Sequence, residues 1–182
     1  AVQGERLVNG SFSGSTGDIP NGWQATVGNP TYTGMVTANG SSAYTIYTFG
    51  TTTPDTLSQT FATTVGATYD VKFSMAHAYG TNNSLTVYWN GVPYIAMASI
   101  PPTGSYDLFT EYTFKAVATS ANTTLLFSAF SVDGGITLDN VSVEVATSET
   151  ATGVLNFTDS EVAGLAQRWH IGDALIPMDV IG

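Results

Sequence analysis

Residues 85–97 read LTVYWNGVPYIAM, two apolar-rich runs separated by Asn90-Gly91. A two-residue type I′ turn needs positive φ at both central positions, which Asn and Gly tolerate best, so the stretch predicts a β-hairpin. Just upstream, 68–77 sets Tyr69, Val71, Phe73 and Met75 on one face and Asp70, Lys72 and Ser74 on the other. Such period-2 alternation marks a strand that covers a core on one side only. The pattern recurs along the chain, bounded by Gly, Pro, Asn and Asp. It predicts strands near 5–9, 22–27, 32–37, 43–49, 56–62, 68–77, 84–90, 92–98, 107–117, 122–131 and 136–145. Short strands at this spacing, with no helical periodicity between them, predict an all-β protein: an antiparallel β-sandwich (jelly roll) over 1–146, followed by a short helical or extended C-terminal tail.

Composition agrees with the pattern. Val, Ile, Thr and the aromatics supply 73 of the 182 residues, the set that fits a pleated, half-buried surface. Charged residues are only 10% of the chain, far below the usual quarter, so neutral groups must wet the surface; 28 Thr and 16 Ser are available for that. A Thr/Ser/Asn/Gly coat is frequent on secreted modules, cell-surface layers and virion exteriors, which places the expected location on an extracellular or virion surface. Four Lys and Arg against 14 Asp and Glu give a net charge of −10. Phosphate neutralisation is beyond such a chain, so nucleic acid is excluded as a partner. No run approaches the ~20 apolar residues of a membrane helix, so membrane insertion is not expected. With no Cys, disulfides, thiolate metal sites and cysteine nucleophiles are excluded together. The opening AVQGERLVNG has no basic start followed by an apolar stretch, so it does not read as a signal peptide.

The composition shifts after Val145. Residues 147–153 are small, polar and end in Gly153, a linker. Residues 154–182 then carry Thr158 with Glu161 three positions on, a capping-box pattern. Val162, Leu165, Ala166 and Trp169 follow as one apolar stripe on a short predicted helix. A segment of this size cannot fold alone, so Val162, Leu165 and Trp169 are expected to dock on the sandwich or on another subunit. That makes assembly partners candidates: further copies of the chain, or capsid, tail or surface-layer proteins.

Four segments carry a family resemblance: LVNGSFS at 7–13 with Trp23 after a loop, LSQTFATTVGATYDVKFSM at 57–75, YTFKAVATSANTTLLFSA at 112–129, and ITLDNVSVEV at 136–145. In this order they resemble the galactose-binding-like jelly rolls that include many carbohydrate-binding modules of secreted bacterial glycosidases. The resemblance implies two antiparallel sheets of four or five strands with adjacent terminal strands. It also implies a structural calcium where those strands meet, with Asn9 and Asp139 as the matching ligands. The acidic position that follows the family's Phe is Ser13 here, whereas a hard cation usually takes more than one carboxylate. The competing reading of Asp139-Asn140 is a turn that caps loop N–H groups.

Sugar recognition in such modules comes from aromatic rings that stack on pyranose C–H faces, with Asn, Asp and Gln meeting the hydroxyls. Phe61, Tyr69, Phe73, Phe114 and Leu126 sit in alternating patterns and read as core, as does Trp23 after Pro20-Asn21-Gly22. The ligand candidates lie outside that alternation: Tyr79 with Asn82 and Asn83, Tyr106 with Asp107, and also Tyr32, Tyr44 and Tyr47. Tyr88 and Trp89 are consecutive on one strand, so one of them must face away from the core. His77 and His170 sit in no nucleophile or metal motif, and no enzyme is expected. Two function classes follow: a non-catalytic carbohydrate-binding-type module that recognises polysaccharide or surface glycan, and a structural or decoration subunit of a virion or extracellular assembly.

Overall fold

The computed structural model describes residues 4–147. The linker beyond Thr147, the tail at 154–182 with its stripe Val162, Leu165 and Trp169, and His170 lie outside the described residues.

Among the described residues, ten strands form two five-stranded antiparallel sheets. The first sheet runs β2 (Gly34–Ala38), β3 (Ser41–Ile46), β10 (Ile136–Val145), β5 (Thr68–His77), β8 (Thr110–Val117) from edge to edge. The second runs β1 (Gln24–Thr26), β4 (Asp55–Ala62), β9 (Asn122–Ser131), β6 (Asn83–Trp89), β7 (Val92–Met97). The Asn90-Gly91 hairpin forms with φ of 48° and 84° and pairs Trp89 with Val92. Its counterpart is Asn39-Gly40, at 49° and 76°, between β2 and β3.

The inward faces meet in an aromatic core. Phe73 of β5 contacts Phe127 of β9 edge-on at 5.1 Å between ring centroids, and Trp89 of β6 lies 5.6 Å from Tyr69 and 5.8 Å from Phe61. Each such pair adds roughly 0.5–1.5 kcal/mol beyond the area it buries. Trp23 is buried against Phe12, and its indole N–H donates to the Asn9 carbonyl at 3.0 Å.

Three expectations are corrected. Residues 5–9 do not form a strand. Only Glu5 bridges Glu144, and the Glu5 carboxylate accepts from the N–H groups of Arg6, Leu7 and Val143 at 2.9–3.0 Å, taking the place of a ladder. The segment 107–117 becomes a strand only at Thr110, because Asp107 is held elsewhere. Leu126 is half-buried on the outer face of the second sheet, since its neighbour Leu125 takes the inward position.

The closing strand carries a bulge between Asp139 and Ser142, with Asn140 at φ 49°. It resets the inward set from Ile136 and Leu138 to Val141 and Val143. The opening loop docks there: Val141 N–H donates to Gly10 O at 2.9 Å. A Cβ on Gly10 would sit 1.9 Å from the Val141 oxygen, so only glycine allows this approach.

Candidate functional site

The outer face of the first sheet carries a groove of about 270 Å³ lined by Val36, Thr37, Thr45, Tyr47, Tyr106 and Thr137, among others. Its floor is strand surface. Thr45 and Thr137 point outward because Tyr44, Ile46, Ile136 and Leu138 take the inward positions of the same strands. The Thr137 hydroxyl donates to the Thr45 hydroxyl at 3.3 Å. Gly135 lets the floor close tightly, since a Cβ there would meet Thr45 Oγ1 at 2.4 Å.

Aromatic rings stand on both sides. Tyr47 lies 5.2 Å from Tyr32 and 5.8 Å from Phe49, and Tyr32 and Phe49 are themselves 5.4 Å apart. Tyr32 and Phe49 are both exposed. A smaller pocket of about 140 Å³, lined by Asp18 and Tyr32 among others, shares Val36 and Thr45 with the groove. At the other side Tyr106 meets Tyr79 edge-on at 5.6 Å, and Tyr79 is 60% exposed. The Tyr106 hydroxyl is pushed up to about 12, by burial first and then by the Tyr79 hydroxyl beside it. It therefore stays protonated, and a donor, throughout the physiological range.

A buried polar hub fixes the loops that carry these rings. Asn83 Oδ1 accepts from Ile100 N–H at 2.6 Å, and its amide nitrogen donates to His77 Nε2 at 2.8 Å. His77 Nδ1 is then the protonated nitrogen and donates to Gly135 O at 3.1 Å. The His77 carbonyl accepts from Thr103 N–H at 2.7 Å, which ties down the segment leading to Tyr106. Asp133 Oδ2 accepts from the N–H groups of Thr81 and Asn82 at 2.9 and 3.1 Å, and these bonds hold its carboxyl below the usual carboxylate range. Asp107 tethers the same loop to the β2–β3 turn by accepting from Asn39 N–H at 2.5 Å.

The structure thus sorts the residues singled out in the sequence. Tyr79, Tyr106 and Asp107 come together at the groove, Asn82 is exposed on the Tyr79 loop, and Tyr32 and Tyr47 stand at the opposite wall. Asn83 and Trp89 are 3% and 2% exposed; they share the inward phase of Leu85 and Val87 on β6 and offer no surface to a ligand. Tyr44 is likewise fully buried, and burial pushes its phenol well above the ordinary value. Tyr88 is the outward member of its pair, but on the second sheet opposite Leu126, away from the groove. That sheet's outer face holds an open depression of about 580 Å³ lined by Trp23, Gln24, Thr56, Ser58 and Leu126, among others. Phe49 and the threonine floor escaped the sequence reading. Phe49 follows Tyr44 and Tyr47 just after β3, and an aromatic directly before Gly50 was the available signal.

The calcium reading does not fit the residues present. Both oxygens of Asp139 are engaged, Oδ2 by the Ser41 hydroxyl at 3.0 Å and Oδ1 by Asn140 N–H at 2.6 Å. The Asn9 amide donates to Ser15 Oγ and to the Asn21 carbonyl. No group of three or more His, Cys, Asp or Glu gathers among the described residues. Burial raises the Asp139 carboxyl above its ordinary value despite those two hydrogen bonds.

No family model matches the chain, and no curated sequence does. Solved structures do. A family 61 carbohydrate-binding module, solved with β-1,4-galactotriose, superposes with a TM-score of 0.58 at 17% identity, covering 78% of this chain and 99% of that one. The K1 cleaved adhesin domain of Lys-gingipain from Porphyromonas gingivalis W83 gives 0.56 at 17%, covering 75% and 96%. The enzymatically active domain of bacteriophage CBA120 tailspike protein 4 gives 0.56 at 16%, covering 78% of this chain and 21% of that one. What they share is the fold. Carbohydrate-binding modules of families 4, 35 and 61 are among the chain's structural neighbours, all at low identity.

Proposed function

We propose that the sandwich is a non-catalytic carbohydrate-binding-type module, displayed on an extracellular surface or assembly, that recognises glycan in the groove beside Tyr106. The observation that carries this reading is a threonine floor lined by the rings of Tyr47 and Tyr106, each packed on exposed rings outside the groove: Tyr32 and Phe49 against Tyr47, and Tyr79 against Tyr106. Sugar rings present an apolar C–H face and a hydroxyl edge, and such a groove offers both complements: π surfaces at the walls, and the hydroxyls of Thr37, Thr45 and Thr137 below. Asn82 and the second oxygen of Asp107 take further sugar hydroxyls in this reading. At about 270 Å³ the groove lies near the lower limit for ligand sites, which suits a short stretch of saccharide lying across the sheet. The fold's recurrence in a family 61 module solved with β-1,4-galactotriose supports the class of ligand. A glycan array probed with the full chain tests it: retention on defined polysaccharides is expected, and the absence of signal on every glycan would remove the reading.

A second reading is favoured by the likeness to a tailspike domain and by the stripe Val162, Leu165, Trp169 in the sequence. In it the chain is a structural or decoration subunit whose tail docks on neighbouring subunits. Analytical ultracentrifugation of the full chain decides: a concentration-independent monomer would count against it.

A further inference from the structure

The groove's surroundings are one-sided in charge. On β10, Asp139 lies two residues from Thr137, about 7 Å along the strand, though it is only 3% exposed and bonded to Ser41. The exposed Asp18 lines the adjoining pocket that shares Val36 and Thr45 with the groove. Asp107 is the residue after Tyr106 and is exposed. The described cations are Arg6, Lys72 and Lys115. Lys72 faces outward on β5 four residues from Ala76, which is the register partner of Thr137, so it stands about 13 Å down the sheet. Lys115 is bonded to Asp70, farther along still. Arg6 sits beside Val143, about 20 Å from Thr137 along β10. Measured along the backbone, these separations exceed the screening length of about 8 Å at physiological ionic strength. Among the described residues, none that lines the groove is a cation.

An acidic sugar placed here would set its carboxylate or sulfate near the exposed carboxylates of Asp107 and Asp18, and it would give up water without gaining a cationic partner. Resting on the glycan-binding reading above, we infer that the groove is selective for uncharged saccharide chains and rejects those bearing uronate, sulfate or sialic acid. Asp107 is its specificity-determining residue, since it is the accessible carboxylate next to Tyr106.

The test uses the full chain in affinity electrophoresis. The gels contain neutral galactan, glucan, xylan or mannan, or polygalacturonate or alginate, the two acidic polymers each before and after chemical reduction of their carboxyls. Reduction converts each uronate to the matching neutral hexose and leaves every linkage in place, so charge is the one variable. Binding is expected to be confined to the uncharged polymers and reduced forms. Where a reduced form binds, its acidic parent should bind at least about tenfold more weakly at low salt, and the gap should close toward 1 M salt as screening shortens to about 3 Å. Asp107→Asn, which keeps an oxygen acceptor for Asn39 N–H, should narrow the gap. An acidic polymer that binds as tightly as its reduced form overturns the selectivity and leaves glycan binding standing. Binding to no polymer at all overturns both.

Discussion

Asn82 and Asn83 look alike in the sequence, and the structure separates them. Asn83→Ala removes the acceptor of Ile100 N–H and the donor to His77 Nε2, both in a region where Ile100, His77 and Asn83 are at most 3% exposed. Each buried group left without a partner costs about 1–3 kcal/mol, so the substitution should cost about 2–5 kcal/mol, against total stabilities of about 5–15 kcal/mol. At about 2–4 °C per kcal/mol for a domain of this size, Tm falls by about 4–20 °C. Asn82 is exposed, and its recorded hydrogen bonds run through its backbone, to Asp133 and from Val132. Asn82→Ala should therefore stay within about 0.5 kcal/mol. Thermal and urea unfolding of both variants, followed by tryptophan fluorescence, measures the difference. Equal Tm values for the two would refute the hub and, with it, the argument that the rings of Tyr79 and Tyr106 are held in place by a buried scaffold.

Three more outcomes follow from the same geometry. Asp133 is held below its ordinary range by the N–H groups of Thr81 and Asn82. Its contribution is therefore complete above the unfolded carboxylate pKa of about 3.9 and is lost as pH falls through the depressed folded value; the Tm gap between the wild type and Asp133→Asn, present at pH 7, should shrink below about pH 4. Asp139→Ala removes the acceptor of Ser41 and Asn140 and should cost about 1–2 kcal/mol, while neither EDTA nor millimolar calcium should move the wild-type Tm. Gly10→Ala forces a Cβ against the Val141 carbonyl and should cost about 3 kcal/mol or more, read as loss of soluble folded protein or a large drop in Tm.

Three strands were legible to the residue, β5, β9 and β10 at 68–77, 122–131 and 136–145, although the bulge in β10 was not. Trp89 and Asn83 were legible too, because the phase set by Leu85 and Val87 turns both inward; what obscured them was the habit of reading Trp and Asn as ligand residues. Leu125-Leu126 hid its phase, since two adjacent apolar residues fit either face. The N-terminal segment failed for another reason. A glutamate supplied hydrogen bonds locally where a ladder was expected, a competition that periodicity does not record. The groove itself was half visible. Tyr79, Tyr106, Tyr32 and Tyr47 were named from the sequence, but nothing in the chain order says that the 100–109 segment folds over β3 and β10. That placement depends on Asn39 to Asp107 and on His77 to Thr103, contacts between residues far apart in sequence.

The central claim is that glycan is bound on the outer face of the first sheet. Calorimetric titration of a polysaccharide identified on the array into the wild type, Tyr106→Ala and Tyr88→Ala tests it most directly, because the two tyrosines lie on opposite faces of the sandwich. Loss of a stacking ring at the centre of a site costs more than about 1.4 kcal/mol, so Tyr106→Ala should weaken binding at least tenfold while Tyr88→Ala leaves it unchanged. The reverse result, with Tyr88 essential and Tyr106 dispensable, would contradict the account and move the site to the second sheet.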